Sequence, residues 1–162
     1  MKLAGNTILV TGGNSGIGRA LAEAFHALGN RVIIAARRQA LIDQITASHD
    51  GLFGVQLDVD DPDSVLRAAN DVRARFPDLN VLIANAGISR AEAVTADDWS
   101  LSDAEAIVQT NILGVLRLTE AFLPLLKGKP GATIMRPARL SPSCRARTSR
   151  PIVPARRFCT HG

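Results

Sequence analysis

At 162 residues and 46% hydrophobic, the chain is long enough for one domain with a buried core, and no composition bias points to disorder over most of it. Its N-terminus passes from Lys2 straight into an alternating strand pattern, so neither a signal peptide nor a membrane span is expected, and a soluble, cytoplasmic protein is. The net charge of +4 hides a split: residues 1–135 hold twelve Lys+Arg against fifteen acids, whereas residues 136–162 hold seven arginines, both cysteines and no acid.

Residues 6–11 form a short apolar run that ends in glycines, and residues 16–29 carry helix-spaced Ile17, Leu21, Ala24, Phe25 and Leu28 before Gly29 stops them. The alternation continues with strand 31–35, helix 38–48, strand 53–57, helix 62–76 and strand 80–84. Pro62 suits a first helical turn after Asp60 and Asp61, and Pro77 ends the same helix. A longer helix is predicted over 102–126, with Ile107, Asn111, Gly114, Leu118, Phe122 and Leu125 near one face and its last turn disturbed by Pro124. A fifth strand starts at 132–135. Strands separated by helices of this length require right-handed crossovers, so the fold class is α/β, a doubly wound parallel sheet, with a domain over 1–135.

The turn after the first strand reads Thr11-Gly12-Gly13-Asn14-Ser15-Gly16-Ile17-Gly18. A glycine turn that opens a helix leaves backbone N–H groups unpaired at the positive end of the helix dipole, where a pyrophosphate fits. Gly12 is expected to make the sharp turn and Gly18 the close helix–strand contact. After the second strand comes Ala35-Ala36-Arg37-Arg38, with no acid to accept from ribose hydroxyls as NAD sites usually have. A planar guanidinium from Arg37 or Arg38 suits a 2′-phosphate, so NADP is expected over NAD. Asp58-Val59 and Asn85-Ala86-Gly87 follow the third and fourth strands, at the carboxyl ends where an open α/β sheet binds ligands.

On these four features, residues 3 to about 135 resemble the short-chain dehydrogenase/reductase family, whose domain is of the Rossmann type. The resemblance implies Thr11, Gly12, Asn14, Ser15, Ile17 and Gly18 around the pyrophosphate and ribose, Asp58 and Val59 at the adenine, and Asn85, Ala86 and Gly87 beside the cofactor. It also implies a catalytic part for Asn111, within Thr110-Asn111-Ile112-Leu113-Gly114, as the helix asparagine that organises a proton-relay water and the catalytic lysine. An Asn satisfied by neighbouring backbone is the alternative at that position. The implied activity is hydride transfer between a nicotinamide cofactor and a small carbonyl or secondary alcohol. Relatives often pair as homo-oligomers through the long helix.

Carbonyl reduction in this family uses a Ser, a proton-donating Tyr and a Lys in Tyr-x-x-x-Lys, yet the chain has no tyrosine. Where a Val-Ser-Ser strand end is expected, it reads Arg136-Pro137-Ala138-Arg139. The Arg, Pro, Ala, Ser and Cys bias resembles a GC-rich coding sequence read out of frame. Joining the third base of each codon to the first two of the next, with free third bases chosen, permits Ser-Ser followed at family spacing by Tyr-Cys-Ala-Ser-Lys. The tyrosine arises across Pro151 and Ile152, and the lysine across Ala155 and Arg156. A frameshift near codons 135–136, leaving an incomplete domain and a disordered tail over 136–162, is therefore expected.

Read at face value, the tail is instead a basic arm that contacts nucleic acid or an anionic membrane. Phe158 is its only aromatic, and it lacks an amphipathic period, so neither partner is expected. Cys144 and Cys159 match no metal motif, and His26, His49 and His161 offer no substitute for the missing catalytic set, so no metal site is expected.

Overall fold

The computed structural model describes residues 2–89 and 101–137. In chain order the elements are β1 (Thr7–Thr11), α1 (Gly16–Ala27), β2 (Arg31–Ala36), α2 (Gln39–Ser48), β3 (Leu52–Gln56), α3 (Pro62–Arg75), β4 (Val81–Ile83), α4 (Leu101–Val108), a π-turn (Gln109–Leu113), α5 (Gly114–Leu126) and β5 (Thr133–Met135). The five strands are parallel in the order β3-β2-β1-β4-β5. The sequence expected this doubly wound α/β sheet, and its direction of winding reverses between β1 and β4.

Strand periodicity builds the core on both faces. Ile8 and Val10 of β1, Val32 and Ile34 of β2, and Val81 and Ile83 of β4 pack with α1 and α2 residues such as Ala22 and Ile42. Their alternates Leu9, Ile33 and Leu82 face α3 and α5 through Val65, Val72, Leu118 and Phe122. Because both faces are covered, the strands read as continuous apolar runs. The boundaries differ from the sequence expectation by a residue or two at most elements, where helix and strand ends fray.

The real departure is in the long helix. A π-turn interrupts it at Gln109–Leu113, and Thr110 there is buried, whereas periodicity had picked out Asn111. At its end the helix runs to Leu126 as expected, because a proline two residues from the end removes one bond without breaking the packed face of Leu118, Phe122, Leu125 and Leu126. By length and composition alone, Leu101–Leu126 could cross a membrane; in the fold its inner face packs against α3 and the sheet. Its outer face exposes Val108, Ile112, Leu116 and Leu123. β5 ends the sheet, with Ile134 and Met135 exposed and no strand on its outer edge among the described residues.

The amino ends of the strands are joined by polar side chains. The Asn6 amide N–H donates to Asn30 Oδ1 at 3.0 Å, and the Thr7 amide to Asn80 Oδ1 at 3.0 Å. The Thr7 hydroxyl donates to Asp78 Oδ2 at 2.7 Å, and this bond foremost holds the Asp78 carboxyl below the usual carboxylate range. A carboxyl depressed in the fold contributes stability above its unfolded pKa of about 3.9 and loses that contribution as pH falls through the folded value. Thr7→Val should therefore lower the melting temperature at pH 7 by no more than a few degrees, since the Asp78 side chain is 56% exposed and water screens it. Melting curves from pH 7 down to pH 3 should show the gap between variant and parent narrowing. A gap constant over that range would exclude the Asp78 carboxylate as its source.

Candidate functional site

The carboxyl ends of β1–β4 open into a cavity of about 530 Å³, within the range of roughly 300–1,000 Å³ usual for small-molecule sites. It lies at the reversal of winding between β1 and β4, the place where an open α/β sheet takes its ligand.

The glycine turn forms one wall. Gly12 has φ +67°, a left-handed conformation that favours glycine, and its amide donates to Ala35 O at 2.7 Å, tying the turn to β2. Gly18 sits so close to the turn that a Cβ there would lie 2.2 Å from Gly12 O and 2.4 Å from Asn85 Nδ2. Helix α1 therefore meets β1 at backbone contact. Its first amide bonded back within the helix is Arg19 N to Ser15 O, and the Ser15 side chain makes no capping bond. The amides of the first turn are thus left to face the cavity. Thr11, Asn14, Ser15 and Ile17 line it as well.

Thr11 ties this wall to the next. The Ala86 amide donates to its Oγ1 at 3.0 Å, and Asn85 Nδ2 donates to its carbonyl at 3.2 Å. Asn85, Ala86 and Gly87 are thereby held beside the glycine turn. Asp58 and Val59 stand opposite, after β3. The Asp58 amide donates to Ser64 Oγ at 3.0 Å, and Asp58 Oδ1 accepts from the Asp60 amide at 3.0 Å, closing a tight turn. Arg37 and Arg38 lie at the rim after β2, exposed, and neither pairs with a carboxylate among the described residues.

All thirteen residues read from the sequence as cofactor contacts line this one cavity. Asn111 does not line it. Its Nδ2 donates to Ile88 O at 2.8 Å and its Oδ1 accepts from Ile88 N at 2.9 Å, so the side-chain amide clamps the loop after β4. Both polar groups of the Asn111 side chain are thus paired with backbone. The sequence reading missed Gly16, Ala36, Leu57, Asp60, Ile88 and Thr110, which also line the cavity. Gly16, with φ +53°, was legible within the glycine run. Asp60 was read only as a helix-start acid, and nothing local marks Thr110.

The histidines lie elsewhere: His49 Nε2 is 3.7 Å from Glu23 on the outside of α1 and α2, and Gly51 approaches His26. No cluster of His, Cys, Asp and Glu suited to a metal occurs among the described residues. The tail, with Cys144, Cys159 and His161, lies outside the described residues from position 138 onward.

Residues 6–136 match the family model described as short chain dehydrogenase. The NADP-dependent 3-hydroxy acid dehydrogenase of Schizosaccharomyces pombe is 33% identical over 140 residues, covering 83% of this chain and 54% of that protein. Serine 3-dehydrogenase of Rhizobium radiobacter is 35% identical over 129 residues, covering 79% and 51%. Among solved structures, a short-chain dehydrogenase from Streptomyces avermitilis superposes with a TM-score of 0.73 at 33% identity, covering 81% of this chain and 48% of that one. The 3-ketoacyl-(acyl-carrier-protein) reductase from Brucella melitensis, solved with NADH, gives 0.72 at 26% identity, covering 83% and 57%. The chain thus spans about half the length of the relatives it matches. With its residues 6–136 matched to the family model and its sheet superposing on the family's solved structures, the chain belongs to the short-chain dehydrogenase family.

Proposed function

We propose that the chain binds NADP(H) in the cavity at the carboxyl ends of β1–β4, and that these 162 residues by themselves do not turn over a carbonyl substrate. The observation that carries the binding half is the convergence on one cavity of the glycine turn and of Arg37 and Arg38, neither paired with a carboxylate among the described residues. The residues fit the group: the Gly18–Gly12 contact leaves no room for a side chain, which brings the uncapped first turn of α1 within reach of a pyrophosphate. Arg37 and Arg38 bind the 2′-phosphate as planar donors. Asp58 and Val59 border the adenine, and Asn85, Ala86 and Gly87 flank the nicotinamide ribose. Bound there, the cofactor supplies the hydride of a dehydrogenase or reductase.

Catalytic incompetence follows from the missing proton donor. The chain has no tyrosine, and general acid catalysis contributes about 10²–10⁴-fold on its own. We further propose that the Arg-rich segment after Met135 is the family's catalytic segment read one frame away. Titrating the purified chain with NADPH and NADH, followed by nicotinamide fluorescence, should show NADPH binding at least tenfold tighter; equal affinities would remove the NADP preference. NADPH oxidation with a 3-oxoacyl thioester, and NADP+ reduction with serine or a 3-hydroxy acid, should stay at background. Turnover near about 10 per second, ordinary for an enzyme, would refute the inactive reading. Sequencing the encoding nucleotides tests the frame: a gene without the shifted open frame rules it out.

A further inference from the structure

We infer that Thr110 is a positioning residue which, through Asp60, joins the two ends of the cofactor cavity into one unit, so that a ligand filling the Asp58–Asp60 end also steadies the Asn85–Ile88 end. The π-turn reaches both loops from adjacent residues. Thr110 Oγ1 donates to Asp60 Oδ2 at 3.0 Å, while Asn111 makes its two bonds to the Ile88 backbone at 2.8 and 2.9 Å. A π-turn inserts one extra residue into a helix, and here the turn directs one buried hydroxyl and one amide at two different strand ends.

The loop after β3 is seated on the same helix further along. A Cβ on Gly114 would lie 3.0 Å from Val59 Cγ2 and 3.3 Å from Val59 O, and Arg117 Nη1 donates to Val59 O at 3.4 Å. These contacts place the backbone of the loop but leave the Asp60 carboxylate to Thr110. Its other oxygen, Oδ1, is buried with no hydrogen-bond partner among the described residues. A half-buried carboxylate whose one enclosed oxygen finds no partner among the described residues depends heavily on the donor that serves the other. The hydroxyl of Thr110, a residue only 7% exposed, is that donor. Loss of the bond frees the Asp60 side chain to turn toward water and breaks the side-chain tie between this loop and the turn that holds Ile88.

The inference rests on the cofactor reading for its choice of ligand, and adenosine 2′,5′-bisphosphate serves as a probe of the adenine end alone. Amide hydrogen exchange of the full chain, read by mass spectrometry, should show the probe slowing exchange in peptides covering 12–18 and 58–60. It should also slow 85–89 and 109–114 by about fivefold or more, the lower range of site-to-site coupling. In Thr110→Val, close in shape but without the hydroxyl, the first two regions stay protected and the last two return to their ligand-free rates. Thr110→Ser restores them. Should Thr110→Val be unfolded, as fast exchange through β1 would reveal, Thr110→Ala removes the donor instead and gives the same pattern. Remote slowing that persists in both variants, or is absent from the parent despite local protection, overturns the inference. Absence of protection at 12–18 as well overturns the cofactor reading and this inference together.

Discussion

Gly18→Ala is expected to weaken NADPH binding on the order of 100-fold and to lower the melting temperature by several degrees. A methyl group there would lie 2.2 Å from Gly12 O and 2.8 Å from Gly12 C, both backbone atoms, and 2.4 Å from Asn85 Nδ2. Contacts between uncharged heavy atoms settle near 3.5–4.0 Å, so α1 must withdraw from β1 by about an ångström. Gly12 cannot retreat in its place, because its carbonyl belongs to a turn held by the bond from its amide to Ala35 O. Overpacking of this kind costs about 1–3 kcal/mol, which for a domain this size is roughly 2–12 °C. The same displacement carries the first-turn amides away from the pyrophosphate, and misplacing a binding group by about 1 Å can cost 100-fold.

Gly16→Ala provides the contrast. Gly16 has φ +53° but open space around its missing Cβ, so the substitution brings strain of about 1 kcal/mol without a clash. Melting curves and NADPH titrations on the two variants separate the effects. Gly18→Ala binding within threefold of the parent, at unchanged melting temperature, would show that the Gly12–Gly18 contact does not set the position of the cofactor.

Arg37→Ala, on the proposed NADP reading, should weaken NADPH binding by about 10–100-fold and leave NADH nearly unchanged. A hydrogen bond to a charged group contributes about 1.5–3 kcal/mol, and only NADPH carries the 2′-phosphate that receives it. Arg37 is free to make that contact because no carboxylate pairs with it among the described residues. Its exposure makes the contact sensitive to salt, so the NADPH preference should shrink between 50 and 500 mM NaCl. Arg37→Asp should go further and invert the preference, by repelling the phosphate and offering an acceptor to the ribose 2′-hydroxyl. If NADPH and NADH weaken in parallel in Arg37→Ala, the guanidinium acts on the common part of the cofactor and Arg38 becomes the candidate phosphate ligand.

The elements that the sequence made legible are those whose cause is local. The five strands announce themselves as short apolar runs separated by polar or glycine-bearing segments, and Asp61 caps α3 by accepting from the Asp63 amide at 2.9 Å, one residue before the Pro62 that begins it, as local chemistry requires. The π-turn has no such cause. Residues 102–126 carry an uninterrupted helical pattern, and the extra residue at Gln109–Leu113 arises where the helix must serve two strand ends at once. Thr110 lies beside the apolar stripe in sequence, and in the fold it is buried with its hydroxyl on Asp60.

What the sequence alone determined, then, was the parallel α/β order, the glycine turn with its left-handed Gly12, and the types of residue that end up around one cavity. Each follows from hydrophobic period, backbone freedom or charge within a few residues. The tertiary structure alone decided how close α1 comes to β1 at Gly18, which side-chain atoms of Asn111 are already spent on Ile88, and that Asp60 and Thr110 meet. These are contacts between elements brought together by the crossovers, such as Thr110 and Asp60, fifty residues apart in the chain. Packing, rather than any local preference, selects them.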